Sequence, residues 1–480
     1  MFRTAPIQAA ILALALFLAG CATNPVTGKK ELSLVTSADE AQMGKEGYTA
    51  VQSEFGFYDD PAAQAYVNTV GQRVAKVSHL PNLQWTFTVI DDPAVNAFAM
   101  PGGYIYITRG ILAHLNSEAQ LAAVLGHEIG HVTARHTARS ITQQQLAGLG
   151  LGVVSIAVPG FARYGQAAQQ GLQLMFLKYS RDHETQADDL GVQYSTAAGY
   201  DSREMPSTYA MLKRIAAASG NSLPTYMSTH PDPGQREERT AAESQQATAG
   251  KTGLIIHRNE YIRHQDGIVF GQDPRQGYFE GAQYYHPGIA FQATFPSGWK
   301  TQDSRQSILA QSPDQSSMIQ VNMVDAGGRG PGDYVAALQS AGKIGGAQGG
   351  NETIGGWPAW VGRIQVQDAN GQATVLDAAF IQKTPQQMFQ VLGQPGQNES
   401  AILATARSFR PLTDAARLHP EPDRVKVVTV SHSGTFQQVI SGLGPQGASL
   451  DAEAILNNTF PDQPVNSGEL IKMVAPGHRR

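Results

Sequence analysis

The sequence predicts an α+β protein whose helices and strands are unevenly distributed along the chain. Apolar residues recur at helical spacing through most of the region 37–254, where only a small sheet is expected. From 255 to 411, alternating apolar residues and turn residues predict a strand-rich α+β domain. The segment 412–480 contains a linker and then the order strand, helix, helix, strand. A chain of 480 residues also favours about two to four domains.

The N-terminus has the features of a secretory signal. Arg3 precedes the apolar stretch Ile7–Leu18, and small residues then lead to Cys21, the only cysteine in the chain. This pattern resembles a bacterial lipoprotein signal, which implies removal of residues 1–20 and attachment of lipid to Cys21. Ala22 follows where an aspartate would favour the inner membrane, so the resemblance implies an outer-membrane lipoprotein facing the periplasm. An ordinary signal peptide or a membrane anchor is the alternative.

The region after the signal begins with a polar stretch and continues with helices and strands. Residues 21–36 predict a short tether because they are polar and contain a turn cluster. Helical periodicity predicts amphipathic helices at about 38–55 and 61–77. Two strands are expected next, one around 85–89 and one over 103–108.

A helix that begins after Ser117 carries the residues with the clearest chemistry. His127 and His131 are four residues apart, so they lie on one face of a helix and can bind a single ion. Glu128 projects beside them. In this spacing two neutral imidazoles bind Zn²⁺ and the glutamate accepts a proton from a water molecule. The motif therefore predicts one zinc ion per chain and a hydrolytic reaction.

A catalytic zinc needs a third protein ligand, and two places in the sequence offer candidates for it. His136 does not fit the metzincin spacing, which would place a histidine at Thr137, and we expect His136 to be a surface residue. Glu184 and Asp188 are four apart and share a helix face. One of these carboxylates can bind the metal while the other accepts the ring N–H of a ligand histidine. A solvated acidic face is the alternative.

These motifs together resemble the zinc metallopeptidase family that contains the CAAX prenyl proteases and the bacterial HtpX-type proteases. Three further stretches support the resemblance: Asn96-Ala97-Phe98, Pro101-Gly102-Gly103 and Thr229-His230-Pro231. The periplasmic lipoprotein branch is the most similar, because its mature chains often begin near a stretch like Asn24–Gly28. The resemblance covers about 37–247 and implies a mainly helical, gluzincin-type peptidase domain with a small sheet.

The resemblance also implies a role for each residue of the site. It assigns metal ligation to His127, His131 and Glu184, the base to Glu128, and the outer hydrogen-bond partner to Asp188. It implies proteolysis as the reaction and zinc as the cofactor.

His230 is a further candidate catalytic residue. It can stabilise the oxyanion, or it can bind the metal as a fourth ligand that keeps the enzyme latent, as the resemblance suggests. A loop histidine without a catalytic role is the alternative. Arg181 is a candidate partner for a carboxylate of the site.

The strand over 103–108 is a candidate substrate-binding edge. If it borders the metal cleft, its free backbone groups can pair with an extended peptide. The candidate substrate-binding residues are Asn96, Ala97, Phe98, Gly103 and Tyr104. An internal hairpin is the alternative.

The strand-rich region 255–411 contains no reactive cluster. Asn370–Gly371 predicts a hairpin turn, and short helices are expected at 333–338 and 399–407. The following segment has strands at about 425–430 and 470–474. It is similar to the βααβ order of LysM-type peptidoglycan-binding modules.

That similarity has one clear departure. Ser433-Gly434-Thr435 stands where LysM modules usually have Gly-Asp-Thr. A structural cap is therefore the alternative to peptidoglycan binding.

The formal net charge of −5 argues against nucleic acid as a partner. The sequence thus predicts a membrane-anchored zinc endopeptidase that acts on unfolded or misassembled envelope polypeptides in protein quality control. Two other functions stay open: a latent chaperone or scaffold that holds client proteins, and a wall-binding protein that acts on peptidoglycan.

Overall fold

The computed structural model describes residues 21–151, 178–218, 226–227, 230, 233–367, 372–394 and 398–477. The predicted signal peptide, the Asn370–Gly371 turn, Thr229 and Pro231 lie outside these residues. The described residues form two compact units. One contains 21–272 together with Asp423–Pro476, and the other contains Asp273–Pro422.

The first unit is mainly helical, as predicted. Side-chain caps begin several of its helices: Thr36, Asp60, Ser117 and Ser180 each accept a hydrogen bond from a backbone N–H of the first turn. The helices are α1 (Ser37–Glu54), α2 (Pro61–Ala75), α3 (Arg109–His114), α4 (Glu118–Thr133), α5 (His136–Leu151), α6 (Arg181–Ala197), α7 (Met205–Ala218), α8 (Pro233–Thr248) and α9 (Arg258–Arg263).

The polar segment predicted as a tether is folded. Strands β1 (Cys21–Thr23) and β2 (Lys30–Leu32) form an antiparallel hairpin. Asn24, in the turn between them, is buried, and its side-chain amide donates to the carbonyl oxygen of Ala134 at 3.2 Å. Because a buried amide needs such a partner, this bond holds the hairpin against the end of α4.

The small predicted sheet has three strands: β3 (Thr86–Ile90), β4 (Ala97–Met100) and β5 (Tyr104–Thr108). Their order is β3-β5-β4, with β3 and β5 parallel and β4 antiparallel to β5. The strand that begins after Gly103 is therefore central, and the prediction that its backbone is free is wrong. The edge strands are β3 and β4, and β4 packs against α4.

The second unit is rich in strands, as predicted. Two antiparallel sheets have the orders β12-β13-β14-β15-β11-β10-β9 and β16-β8-β7-β6. The strands are β6 (Tyr278–Glu280), β7 (Gln283–His286), β8 (Phe291–Thr294), β9 (Lys300–Ser304), β10 (Ser307–Gln311), β11 (Met318–Asp325), β12 (Gly346–Ile354), β13 (Trp357–Gln367), β14 (Ala373–Gln382), β15 (Gln387–Gln394) and β16 (Arg410–Pro411).

Three helices accompany these sheets: α10 (Pro331–Ser340), α11 (Glu399–Arg407) and α12 (Ala415–Leu418). The first was predicted to start at Asp333. It starts two residues earlier, because Pro331 occupies its first turn and Asp333 lies inside that turn.

The C-terminal segment contains the predicted strand, helix, helix and strand, together with two short strands that were not predicted. Its elements are β17 (Arg424–Thr429), β18 (Gly434–Thr435), α13 (Phe436–Gly442), α14 (Leu450–Leu456), β19 (Pro464–Val465) and β20 (Leu470–Ala475). β17 and β20 pair antiparallel. Val425, Leu456 and Val474 are buried in the same apolar core as Leu121 and Leu125 of α4. This shared core explains why the segment belongs to the first unit.

Within the described ranges, no helix has both the length and the apolar character that a membrane span requires.

Candidate metal centre

Helices α4 and α6 approach closely, and glycines make this possible. A Cβ atom at Gly126 would lie 3.2 Å from the carbonyl oxygen of Gly191, and one at Gly130 would lie 3.1 Å from Cβ of Leu190. A Cβ at Gly191 would in turn lie 3.2 Å from the backbone nitrogen of His127. Small residues at these contacts allow the acidic face of α6 to reach the histidine face of α4.

Four buried side chains converge between these helices. His127, His131, Glu184 and His230 each offer one ligand atom, and these atoms all lie within 4.8 Å of one another. The Nε2 atoms of His127 and His131 are 2.9 Å apart. Oε1 of Glu184 lies 3.5 Å from Nε2 of His131, and its Oε2 lies 3.7 Å from Nε2 of His127. The structure thus brings together the three predicted ligands and His230.

The donor set fits zinc. Two or three imidazoles and one carboxylate are the ligands that zinc takes in catalytic sites. Both carboxylate oxygens of Glu128 and Oε1 of Glu184 are buried without a hydrogen-bond partner among the described residues. Burial of unpaired carboxylate oxygens is costly, and a bound cation removes that cost. Burial also raises the pKa of Glu184 well above its ordinary value.

Asp188 orients the first ligand histidine. Its Oδ1 lies 2.9 Å from Nδ1 of His127 and also accepts a hydrogen bond from the Tyr209 hydroxyl at 2.6 Å. Since a carboxylate accepts, His127 donates Nδ1–H and directs its unprotonated Nε2 at the cluster. This is the position that the resemblance implied for Asp188.

Arg236 is a member of the site that sequence reasoning missed. Its Nη1 lies 2.6 Å from Oε2 of Glu184, and its Nη2 and Nε donate to the two oxygens of Asp188 at 2.7 and 2.9 Å. Burial would raise the pKa of Asp188, but the Arg236 charge and these hydrogen bonds hold it well below its ordinary value. Arg239 donates to Oδ2 of Asp188 at 2.7 Å.

A signal for this contact exists in the sequence. Arg236 and Arg239 are three residues apart and share one face of α8, just as the acidic pair, four residues apart, shares one face of α6. The predicted partner Arg181 is exposed at the start of α6.

Glu128 lies close to His230, one of the four residues of the cluster. Nε2 of His230 is 3.7 Å from Oε1 of Glu128. Burial raises the pKa of Glu128 to about 8. The ring of Tyr226 stacks on His230 with centroids 4.3 Å apart, and burial lowers the pKa of His230 well below its ordinary value.

The prediction that His136 lies on the surface is wrong. Its side chain is fully buried, and its Nδ1 lies 2.9 Å from Nδ1 of His131. On a continuous helix, a residue five positions after His131 would point roughly 140° away from it. Here α4 ends at Thr133 and Arg135 has φ of 56°, so the chain turns before α5 begins.

The candidate substrate-binding residues lie in or beside the small sheet. Ala97 and Phe98 are buried in the edge strand β4, and Asn96 precedes them. Gly103 has φ of 92°, and a Cβ there would lie 2.7 Å from the carbonyl oxygen of Gln84. The ring of Tyr104 packs against Tyr48. Peptide binding by these residues and lipid attachment at Cys21 stay predictions.

Comparison with known proteins agrees with this geometry. Residues 61–243 match the model of Peptidase family M48. The matched range contains all four residues of the cluster and Glu128. The C-terminal segment lies outside it.

Three curated relatives are similar to a little under half of the chain each. The mitochondrial metalloendopeptidase OMA1 of Arabidopsis thaliana is 31% identical over 48% of this chain and 44% of its own length. The protein of that name from Schizosaccharomyces pombe is 31% identical over 44% of this chain and 63% of its own. The beta-barrel assembly-enhancing protease of Escherichia coli is 29% identical over 45% of each chain.

The alignments therefore span about half the length of these relatives. The family match and the relatives' names support the prediction of a zinc metalloendopeptidase, and the cluster supports zinc as its cofactor.

Proposed function

We propose that this chain is a zinc-dependent endopeptidase that hydrolyses peptide bonds of envelope proteins. The observation that carries the proposal is the convergence of His127, His131 and Glu184 with the unpaired carboxylate of Glu128. A structural zinc site is closed by four ligands and has no need of a buried glutamate without a hydrogen-bond partner beside it. A catalytic site needs that group.

The chemistry divides between the metal and the protein. When bound to these ligands, zinc would lower the pKa of a water molecule and polarise the carbonyl group of a peptide bond. Glu128 accepts the proton from the attacking water and transfers it to the leaving nitrogen. Asp188 and Arg236 hold His127 and Glu184 in place.

His230 has two roles that the geometry supports. Its position among the possible ligands favours binding to the metal, which would keep the enzyme latent. Its distance of 3.7 Å from Glu128 also allows a small shift after which it stabilises the oxyanion. Both roles make activity depend on His230, but removal of the side chain has opposite effects in the two cases.

The proposed setting is the periplasmic face of the outer membrane, with the chain held by lipid at Cys21. The lipoprotein-like N-terminus supports this setting. Unfolded or misassembled envelope polypeptides are the proposed substrates, supported by the similarity to a protease named for enhancing β-barrel assembly. The strand order of the C-terminal segment supports peptidoglycan as a further partner.

The test measures zinc content and cleavage of an unfolded protein by the full mature chain. Glu128→Gln should retain zinc and lose roughly 10²- to 10⁴-fold in cleavage rate, because it removes the general base. His230→Ala should increase cleavage if His230 is a latch, and decrease it if His230 stabilises the oxyanion. Equal cleavage by the parent and Glu128→Gln would refute the mechanism.

A second function is a scaffold or chaperone that holds clients without cutting them. It would be favoured if the parent binds an unfolded protein, retains zinc and releases no fragments.

A further inference from the structure

The second ligand histidine, His131, has an unusual outer partner. His127 donates Nδ1–H to a carboxylate, Asp188, which is a common arrangement at metal sites. Nδ1 of His131 instead faces Nδ1 of His136 at 2.9 Å. Two imidazole nitrogens can form this bond only if one carries a proton and the other does not. The direction of the bond decides which nitrogen of His131 is available to a metal.

The next contact in the chain settles that direction. Nε2 of His136 lies 3.0 Å from Oε1 of Gln186, and Nη1 of Arg139 donates to the same oxygen at 3.3 Å. Because a guanidinium group only donates, the Gln186 atom between them is the amide oxygen and accepts from both sides. His136 must therefore carry its proton on Nε2.

The positions of the other ring protons follow from this one. His136 is fully buried and has no ion pair with an acidic side chain among the described residues, so its neutral form is favoured. A neutral imidazole with a proton on Nε2 accepts at Nδ1. His131 then donates Nδ1–H to His136 and presents an unprotonated Nε2 to the cluster.

We propose that His136 and Gln186 are positioning residues that select the metal-binding tautomer of His131. They do for His131 what Asp188 does for His127, with an imidazole and an amide in place of a carboxylate. The proposal rests on the proposed zinc site and goes beyond it, because it assigns functions to two residues outside the ligand set.

The turn at Arg135 holds the hydrogen-bonded series His131, His136 and Gln186, called the relay below, in place. Arg135, in its left-handed conformation, donates from Nε to Glu40 at 2.9 Å and from Nη2 to the carbonyl oxygen of Val35 at 3.0 Å. These bonds fix the turn that places His136 against His131. The ring of His136 also stacks on His183, with centroids 4.3 Å apart.

The test compares variants that keep or remove an acceptor at each position. His136→Asn places an amide oxygen near the position of Nδ1, and Gln186→Glu keeps an acceptor for Nε2–H. His136→Leu and Gln186→Met remove these acceptors with similar side-chain size. His183→Leu is the matched control, because His183 is buried against the same ring and is outside the relay.

The readouts are the zinc dissociation constant, from competition with a chelator, and the visible spectrum of the Co²⁺-substituted chain. We expect His136→Leu and Gln186→Met to weaken zinc binding roughly 10- to 100-fold, as loss of an outer partner does elsewhere. His136→Asn, Gln186→Glu and His183→Leu should stay within about threefold of the parent and keep its cobalt spectrum.

Two results would overturn the inference. One is that His136→Asn binds zinc as weakly as His136→Leu, and the other is that His183→Leu binds zinc as weakly as His136→Leu and Gln186→Met. Gln186 is only partly buried, so its variants keep the test valid if the His136 variants fail to fold. A parent chain that binds no zinc would refute the proposed function itself, whereas a parent that binds zinc as tightly as all variants refutes only the relay.

Discussion

Two of the buried basic side chains in the first unit, Arg236 and Lys472, have opposite surroundings. Arg236, at the metal site, lies against two carboxylates, those of Glu184 and Asp188. Lys472, on β20, donates to carbonyl oxygens instead: its Nζ lies 2.7 Å from those of Ala113 and Leu115. Burial would lower the pKa of Arg236, but Tyr209 and the carboxylates of Asp188 and Glu184 hold it well above its ordinary value. Burial lowers the pKa of Lys472 well below its own.

The difference shows where this fold retains charge. At the metal site the carboxylates must stay ionised to orient a histidine and to bind a cation, so a permanent positive charge beside them is useful. At β20 a neutral amine is sufficient, because its two N–H groups match the two carbonyl oxygens. These carbonyls lie where α3 ends and the chain leads into α4, so Lys472 connects the C-terminal segment to the start of the metal-binding helix.

The largest expected effect is the loss of the charged partner at the metal site. Arg236→Met leaves buried carboxylates without their cation and should lower the free energy of unfolding by about 3 to 5 kcal/mol. Zinc should restore part of that loss, because the ion supplies positive charge to Glu184. Urea denaturation with a chelator and with zinc measures both effects. Arg239→Met is the control and should cost at most about 1 kcal/mol, because Arg239 is partly exposed. Equal losses in the two variants would contradict this account.

A smaller effect is expected at Lys472. At pH 9.5, Lys472→Met should lower the free energy of unfolding by about 1 to 3 kcal/mol, because two buried carbonyls lose their donors. The folded state disfavours the protonated amine, so the unfolded state binds more protons below its pKa of about 10.4. The stabilisation by Lys472 is therefore present at high pH and lost as the pH falls.

Urea midpoints of the parent and Lys472→Met at pH 7 and 9.5 test the sign of this dependence. The urea midpoint of the parent should exceed that of Lys472→Met by more at pH 9.5 than at pH 7. A difference in midpoint that is constant, or larger at pH 7, would show that Lys472 is charged in the folded state.

The smallest expected effect concerns Glu453, a buried acid near Lys472 in the same segment. Its oxygens accept the backbone N–H of Val474, and burial raises its pKa to about 7. Ionisation in the folded state is therefore unfavourable, and its cost grows as the pH rises from about 4.5 to 7. Glu453→Gln should raise the melting temperature by about 2 to 4 °C at pH 8 and leave it unchanged at pH 4.5. A gain of equal size at both pH values would point to packing as the cause.

Short-range patterns were sufficient for much of the site. The spacing of His127 and His131, the cap at Ser117 and the acidic pair on α6 are all local, because a helix places residues four apart on one face. Strands and helices of the C-terminal segment were predictable because their periodicities are also short-range patterns. Zinc as the cofactor and hydrolysis as the reaction followed from these spacings and side-chain types.

Tertiary structure decided which of these residues meet and what supports them. Arg236 reaches Asp188 across 48 residues of sequence, and Lys472 reaches Ala113 across 359. His136 is close to His131 in the sequence, yet only the left-handed turn at Arg135 brings the two rings together. By itself the sequence determined the ligand types and their helical spacing. Their outer partners depend on long-range packing and on one backbone turn, which the periodicity of a single helix does not encode.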